Sequence, residues 1–302
     1  MSDRIIAYLA CNDLAPVSPE TLAARIGELG AGSPLKTPRV LVGAVGQSIG
    51  SGFLLDFNSV LVSVILVDKP LPPDAYAGAL QLNRIWPGAP QAMETQSAHV
   101  IVAPLKEIDS HVEALNAAMI VTITHAALTT ILPSVAVVWS NGDVITEVTR
   151  FREAARALVQ GQTRPDIWIG FAWLDGPRLP TGERTLAVVT SGLAPFIGRE
   201  VEWLPTPLPP ATIGSRLIGL CQYLIVNGPV IKDGETLGVS ESDRIRATFA
   251  PRGQRGGPVI QLSVETMDMR PPPVRMAERE QQKAAVAAIA AASGGFGRRK
   301  LH

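Results

Sequence analysis

The run Val60-Leu-Val-Ser-Val-Ile-Leu-Val67 constrains this chain more than any other segment. Its branched side chains suit a strand, and its lack of polar alternation means that neither face of that strand can be left to water. It falls far short of the ~18 residues that cross a bilayer. Such a run must sit inside a sheet whose faces are covered by helices. Arg39-Val-Leu-Val-Gly-Ala-Val, His99-Val-Ile-Val-Ala, Ser134-Val-Ala-Val-Val-Trp139, Asp166-Ile-Trp-Ile-Gly-Phe-Ala-Trp173 and Thr185-Leu-Ala-Val-Val-Thr190 read the same way.

The covering helices are expected over 18–29, 74–84, 106–128, 146–160 and 210–226. The first opens on Ser18-Pro19-Glu20, a hydroxyl cap followed by proline at the first helical position. Further strands are expected at Val201-Glu-Trp203, Arg244-Ile-Arg-Ala-Thr-Phe249 and Val259-Ile-Gln-Leu-Ser-Val264, with a hairpin across Lys232-Asp233-Gly234-Glu235. Strands and helices mix without strict alternation, so the fold class is α+β: mixed β-sheet layers covered by helices. Residues 1–264 form one body, with two similar halves, 1–162 and 163–264, as the alternative division. Residues 265–302 read as an extended Ala-rich tail, helical over 274–292 and ending in a flexible basic segment.

Charge narrows the function. Among 302 residues, 27 are Lys or Arg and 27 are Asp or Glu, so the positive footprint of a nucleic-acid binder is missing. Two cysteines, Cys11 and Cys221, are too few for a disulfide scaffold and suit free thiols in a reducing compartment, so a cytoplasmic location is expected. The amino terminus has too short an apolar run for a secretory signal, and no membrane segment is expected. Arginine supplies 21 of the 27 basic residues, which together with abundant Ala, Gly and Pro points to a bacterial source.

One motif suggests catalysis. Gly46-Gln-Ser48-Ile-Gly50 has the G-x-S-x-G form of a nucleophile elbow, with His99 or His125 as the candidate base of a serine hydrolase. An elbow must lead directly into a helix, however, and Ser51-Gly52-Phe-Leu-Leu-Asp-Phe57 reads as loop and strand. The glycine-rich loop also lacks the spacing of a dinucleotide or phosphate site, so no cofactor is expected. His111 and His125 on one helix would lie about 21 Å apart and could not share a metal ion. His99 starts an apolar strand, where a structural role is expected, and Asp109, His111 and Glu113 read as a solvated patch at a helix start.

The candidate binding residues lie on turns and in the tail. Trp139-Ser-Asn141-Gly142-Asp143 stands where a strand ends and a helix is about to begin, a common place for a ligand, although Asn-Gly is also what a tight turn requires. Thr190, Ser191 and Gly192 put hydroxyls beside a glycine and could aim backbone amides at a small anion. Trp168, Trp173 and Trp203 on strand-like segments read as core or interface anchors. In the tail, Phe296 beside Arg298 and Arg299 combines an apolar anchor with groups able to pair with carboxylates or phosphates.

Several phrases carry a resemblance: Val67-Asp-Lys-Pro-Leu-Pro72, Ser97-Ala-His99-Val-Ile-Val, Val137-Val-Trp139-Ser-Asn, Ile167-Trp-Ile-Gly-Phe, Val189-Thr-Ser-Gly-Leu-Ala-Pro-Phe196 with Gly198-Arg-Glu-Val-Glu202, and Gly228-Pro-Val-Ile-Lys-Asp-Gly-Glu-Thr-Leu-Gly-Val-Ser-Glu241. They resemble the bacterial family called domain of unknown function forty-two sixty-one over roughly 50–264, most specifically in the carboxyl-terminal half. The resemblance implies kinship and supplies no catalytic residues. The reading that results is a non-enzymatic, macromolecule-binding or accessory protein with a protein partner. The alternatives are a serine hydrolase using Ser48 and a small-anion binder at the Thr190–Gly192 turn.

Overall fold

The computed structural model describes residues 5–31, 33, 35–41, 51–58, 60–240 and 243–266. Ser48 and its glycine-rich motif, and the tail with Phe296, Arg298 and Arg299, lie outside the described residues. The chain begins with β1 (Ala7–Cys11), α1 (Pro19–Leu29), β2 (Arg39–Leu41), β3 (Ser51–Phe57) and β4 (Val60–Val67). Next come α2 (Ala77–Leu82), α3 (Ala89–Glu94), β5 (Ala98–Pro104), α4 (His111–Leu128), β6 (Ser134–Trp139), β7 (Val144–Glu147) and α5 (Val148–Val159). It continues with β8 (Gly170–Asp175), β9 (Leu186–Ser191), α6 (Ala194–Ile197), β10 (Glu200–Thr206) and α7 (Pro210–Asn227). The last strands are β11 (Thr236–Ser240), β12 (Asp243–Ala250) and β13 (Val259–Thr266).

Two sheets result, and the fold is α+β as expected. The first has the order β2-β3-β4-β5-β1-β6-β7, with every neighbouring pair antiparallel. The second has the order β11-β12-β13-β10-β9-β8, and its β10 and β13 run parallel. The central strands of the first sheet are covered on both faces, which explains their unbroken apolar runs. Along β6, Val137 and Trp139 join the main core while Ala136 and Val138 pack with Ala79, Ala89 and Met93 from α2 and α3. In β4, Val62, Val64 and Leu66 point to the main core, and buried Ser63 donates its hydroxyl to the Ala103 carbonyl.

Helix α4 is the shared filling of the two layers. Fourteen of its 18 residues are buried, so it has no polar face to give to water and must be enclosed. It packs against α1, α5 and α6, and a single hydrophobic cluster runs from Ala7 and Leu9 in the first sheet to Trp203 and Leu262 in the second. Ser110 caps it by accepting the Glu113 amide, as Ser18 caps α1 by accepting that of Thr21.

Several local expectations are corrected. The turn at 232–235 leads into β11 rather than joining two strands, because Pro229 has no N–H to offer a ladder; the hairpin closes instead between β11 and β12. Trp139 to Asp143 connect two strands through a 3₁₀ turn, Ser140–Gly142, and β7 intervenes before α5. The 166–173 strand starts only at Gly170, since Pro165 opens a 3₁₀ turn that holds Trp168 off the sheet. The 74–84 window splits into a 3₁₀ turn at Pro73–Ala75 and the short α2. At the start of α4, Asp109 and Glu113 pair with Lys106, but His111 turns inward, with its ring nitrogens 3.1 and 3.3 Å from the carbonyls of Phe196 and Val226.

The sheets meet at a junction built from glycine. A side chain at Gly142 would put its Cβ 2.0 Å from the Trp168 carbonyl oxygen, and one at Gly192 would lie 2.7 Å from the Gly142 Cα. Gly192 also has φ +96°, which side-chain-bearing residues seldom adopt. Because the obstructing atoms are backbone, Gly142→Ala is expected to cost about 3 kcal/mol, the upper end of ordinary overpacking, measured as a lowered denaturant midpoint with an unchanged slope.

A second expected outcome concerns acid. His125, fully buried on α4 beside Phe151, has its pKa lowered to about 4 by burial, against 6.5 for a free imidazole. Burial also lowers that of His99. Each ring is held neutral in the folded state and charges more readily when unfolded, so its contribution is complete above pH about 6.5 and is lost as pH falls. For His125 the loss between pH 6.5 and 4 is roughly 3 kcal/mol. His125→Leu should therefore flatten the melting temperature against pH in that interval.

Candidate functional site

The turn after β9 does hold an anion, and that anion belongs to the chain. The amides of Gly192 and Ala194 each donate at 2.9 Å to Glu200 Oε1, while the Leu193 amide and the Thr190 hydroxyl donate to Oε2 at 3.2 and 2.6 Å. Thr190 Oγ1 in turn accepts the Val201 amide at 2.8 Å, so its own proton is directed to the carboxylate. Burial pushes the Glu200 carboxyl above its ordinary pKa, and the four donors pull the other way. The Cys221 thiol nearby is pushed up as well, first by burial and then by the Glu200 charge. An external anion would have to displace Glu200 from these amides.

The other candidates on the folded body converge on the same junction. Ser191 Oγ lies 3.3 Å from the Asn141 carbonyl and 3.2 Å from Asp143 Oδ2, and Asn141 Oδ1 accepts the Ile6 amide at 2.9 Å. Trp139 lies 6.0 Å from Trp168, which stacks on Phe196 at 5.7 Å and donates its indole N–H to Thr122. Trp139, Thr190 and Ser191 are no more than 5 % exposed, so their side chains contact protein rather than solvent. His99 is also buried, with Nδ1 2.8 Å from the Lys69 carbonyl. Neither His99 nor His125 reaches an open surface.

On the outer side of this junction the two sheets part, and a cleft of about 200 Å³ opens between them. One wall is β7 with the start of α5, and the other is the first half of β8 with Gly214 and Ile218 of α7. The segment from Leu82 to Trp86, which ends α2 and follows it, borders both. Its apolar surface comes from Phe171, Trp173, Trp86, Ile85 and Ile218, and the last two are 59 % and 42 % exposed. Large apolar groups left open to water at the rim of a concavity mark a binding surface rather than an incompletely filled core.

The polar groups of the cleft fall into two kinds. Arg150 and Arg164 both pair with Asp166, Arg164 through two contacts of 3.0 Å. Burial alone would raise the Asp166 pKa, but Arg164 and Arg150 outweigh it and hold the carboxyl below its usual range. Asp143 has left-handed backbone at φ 49° and accepts Ser191 and Arg255, tying the β6–β7 turn to the loop before β13. By contrast, among the described residues the Arg84 guanidinium bonds only to the Gln81 and Asn83 carbonyls, and Glu147 stands exposed at the end of β7. These two charges are the ones available to a visitor.

A larger hollow of about 620 Å³ lies between the β1–α1 loop and β3, and among the described residues Ser51 is the one polar side chain in its lining. Among the described residues, no group of three or more His, Cys, Asp or Glu is placed to hold a metal ion, and no helix is long and apolar enough to cross a membrane. Sequence reasoning placed Trp173 as a core or interface anchor and missed Ile85, Trp86, Phe171 and Ile218 as its companions. Four segments distant in the chain make this cleft, so no local spacing marks it.

A two-sheet α+β body with a cleft between the sheets is the class that the geometry defines. The family model described as a domain of unknown function, DUF4261, matches residues 189–263. The match runs from the end of β9 into β13 and contains the whole Glu200 turn, so the resemblance stands on the second sheet, over a shorter span than 50–264. No curated protein and no solved structure gave a match.

Replacing Glu200 tests whether its role is structural. In Glu200→Gln the side-chain NH₂ would face backbone donors and leave at least one of them unpaired, at a cost of about 1–3 kcal/mol. Chemical denaturation should register that loss, and added phosphate should not restore it.

Proposed function

We propose that this chain is a non-enzymatic binding protein of the bacterial cytoplasm, whose recognition site is the cleft between β7 and β8 and whose partner is another protein. The observation that carries this reading is the pairing of exposed Ile85 and Ile218 with the rings of Trp86, Phe171 and Trp173 around one concavity. At about 200 Å³ the cleft is smaller than the roughly 300–1,000 Å³ of most small-molecule sites, and it suits one large apolar side chain presented by a partner. An aromatic-lined pocket of this kind, ringed by polar groups, is the usual form of an interface hot spot. The two thiols, both buried and with raised pKa values, suit a reducing compartment.

The test compares affinity capture from the native host by the wild-type chain and by Ile218→Glu, in which an exposed position receives a charge at the mouth of the cleft. A protein held by the wild type and released by the variant is the expected outcome. Identical recoveries would place the binding surface elsewhere.

A further inference from the structure

We propose that the partner enters the cleft as an extended strand that pairs with the free edge of β8, an inference that rests on the cleft being the recognition site. β7 ends one sheet and β8 ends the other, and among the described residues nothing pairs with the outer edge of either. All four residues of β7, Val144 to Glu147, line the cleft. The two edges touch at one end, where a Cβ on Gly170 would lie 2.2 Å from the Gly142 carbonyl oxygen. From that contact the cleft opens beside β8, whose outer edge is unpaired among the described residues, while β7 lies against the 3₁₀ turn at Pro165–Ile167 with Val144, Ile145 and Thr146 no more than 9 % exposed.

The open edge of β8 suits main chain, and the cleft of about 200 Å³ beside it suits one large side chain of that segment. An added strand would satisfy the outward N–H and C=O groups of β8 and set every second side chain on the face that carries Phe171 and Trp173. β8 offers six residues against four in β7, and the Trp173 ring lies against Gly214 on α7. Charge completes the description of the occupant. Arg84 beyond the end of α2 and Glu147 at the end of β7 are both free of side-chain partners among the described residues, so the partner segment carries an acidic and a basic residue flanking one large apolar anchor.

The probe is a phage-displayed library of random nonapeptides, selected on the full chain and followed by synthesis of the most enriched sequence. That peptide is then methylated on its backbone nitrogens, one residue at a time. Strand pairing requires alternate N–H groups only, so methylation at one parity should weaken binding by about tenfold while the other parity changes it little. Arg84→Glu should shift preference to a peptide whose acidic residue is exchanged for lysine. Equal sensitivity at both parities, with binding still abolished by Ile218→Glu and by Ile85→Glu, would overturn strand pairing and leave the cleft as the site. Binding unaffected by either substitution, or a library that enriches no sequence over the Ile218→Glu chain, would overturn both readings.

Discussion

Everything in this structure depends on how closely three backbone segments approach one another at Gly142, Gly170 and Gly192. The two sheets have no hydrogen-bond ladder in common, so they are joined by packing and by a few side-chain bonds such as that of Ser191 to Asp143. Packing at backbone distance requires that no Cβ intervene. With the glycines in place, Trp139, Trp168 and Phe196 stack across the seam, and the Trp168 indole finds a partner in Thr122 of α4. That stack extends the apolar core from one sheet into the other. The same contact also fixes where β7 and β8 begin to separate, and hence where the cleft lies.

The Glu200 turn shows how a feature that resembles a ligand site can serve the fold. A glycine in left-handed backbone followed by consecutive inward amides is chemically an anion receptor. Here the strand that follows returns its first side chain into that receptor. The chain thereby fixes the β9-to-β10 connection without an outside molecule. A buried carboxylate surrounded by four donors is costly to desolvate but far more costly to leave unpaired, which makes the arrangement specific rather than merely favourable. The segment matched by the DUF4261 model contains this whole device.

The cleft is the complementary case, because it is what the fold leaves unfinished. Phe171 and Trp173 pack only in part against the core, and with the exposed Ile85 and Ile218 they leave apolar surface open to the cleft. Asp166 pairs with two arginines and Asp143 with one, and among the described residues Arg84 and Glu147 have no side-chain ion pair. An apolar centre with a sparse, mixed-charge rim favours a partner chosen by shape and one anchor residue over one drawn in by net charge.

The sequence by itself determined the α+β class, the cap at Ser18 and the covered inner strands β4, β5 and β6, whereas the apolar runs at Arg39 and Asp166, read the same way, became the edge strands β2 and β8. The class, the cap and the covered strands follow from a periodicity or a hydrogen bond within a few residues. It also marked Trp139, Asn141, Thr190, Ser191 and Gly192 as unusual, and they do meet at one junction. Only the tertiary structure decided what they do there, since the anion awaited by Thr190 and Gly192 is Glu200 and the partner of Ser191 is Asp143, 48 positions away. Local reading failed at the 232–235 turn and at the 3₁₀ turn before β8, where a proline without an N–H overrides strand composition. The cleft was invisible for a stronger reason. Its walls come from α2, β7, β8 and α7, and side chains left half-exposed by packing have no signature in sequence until the elements that failed to cover them are in place.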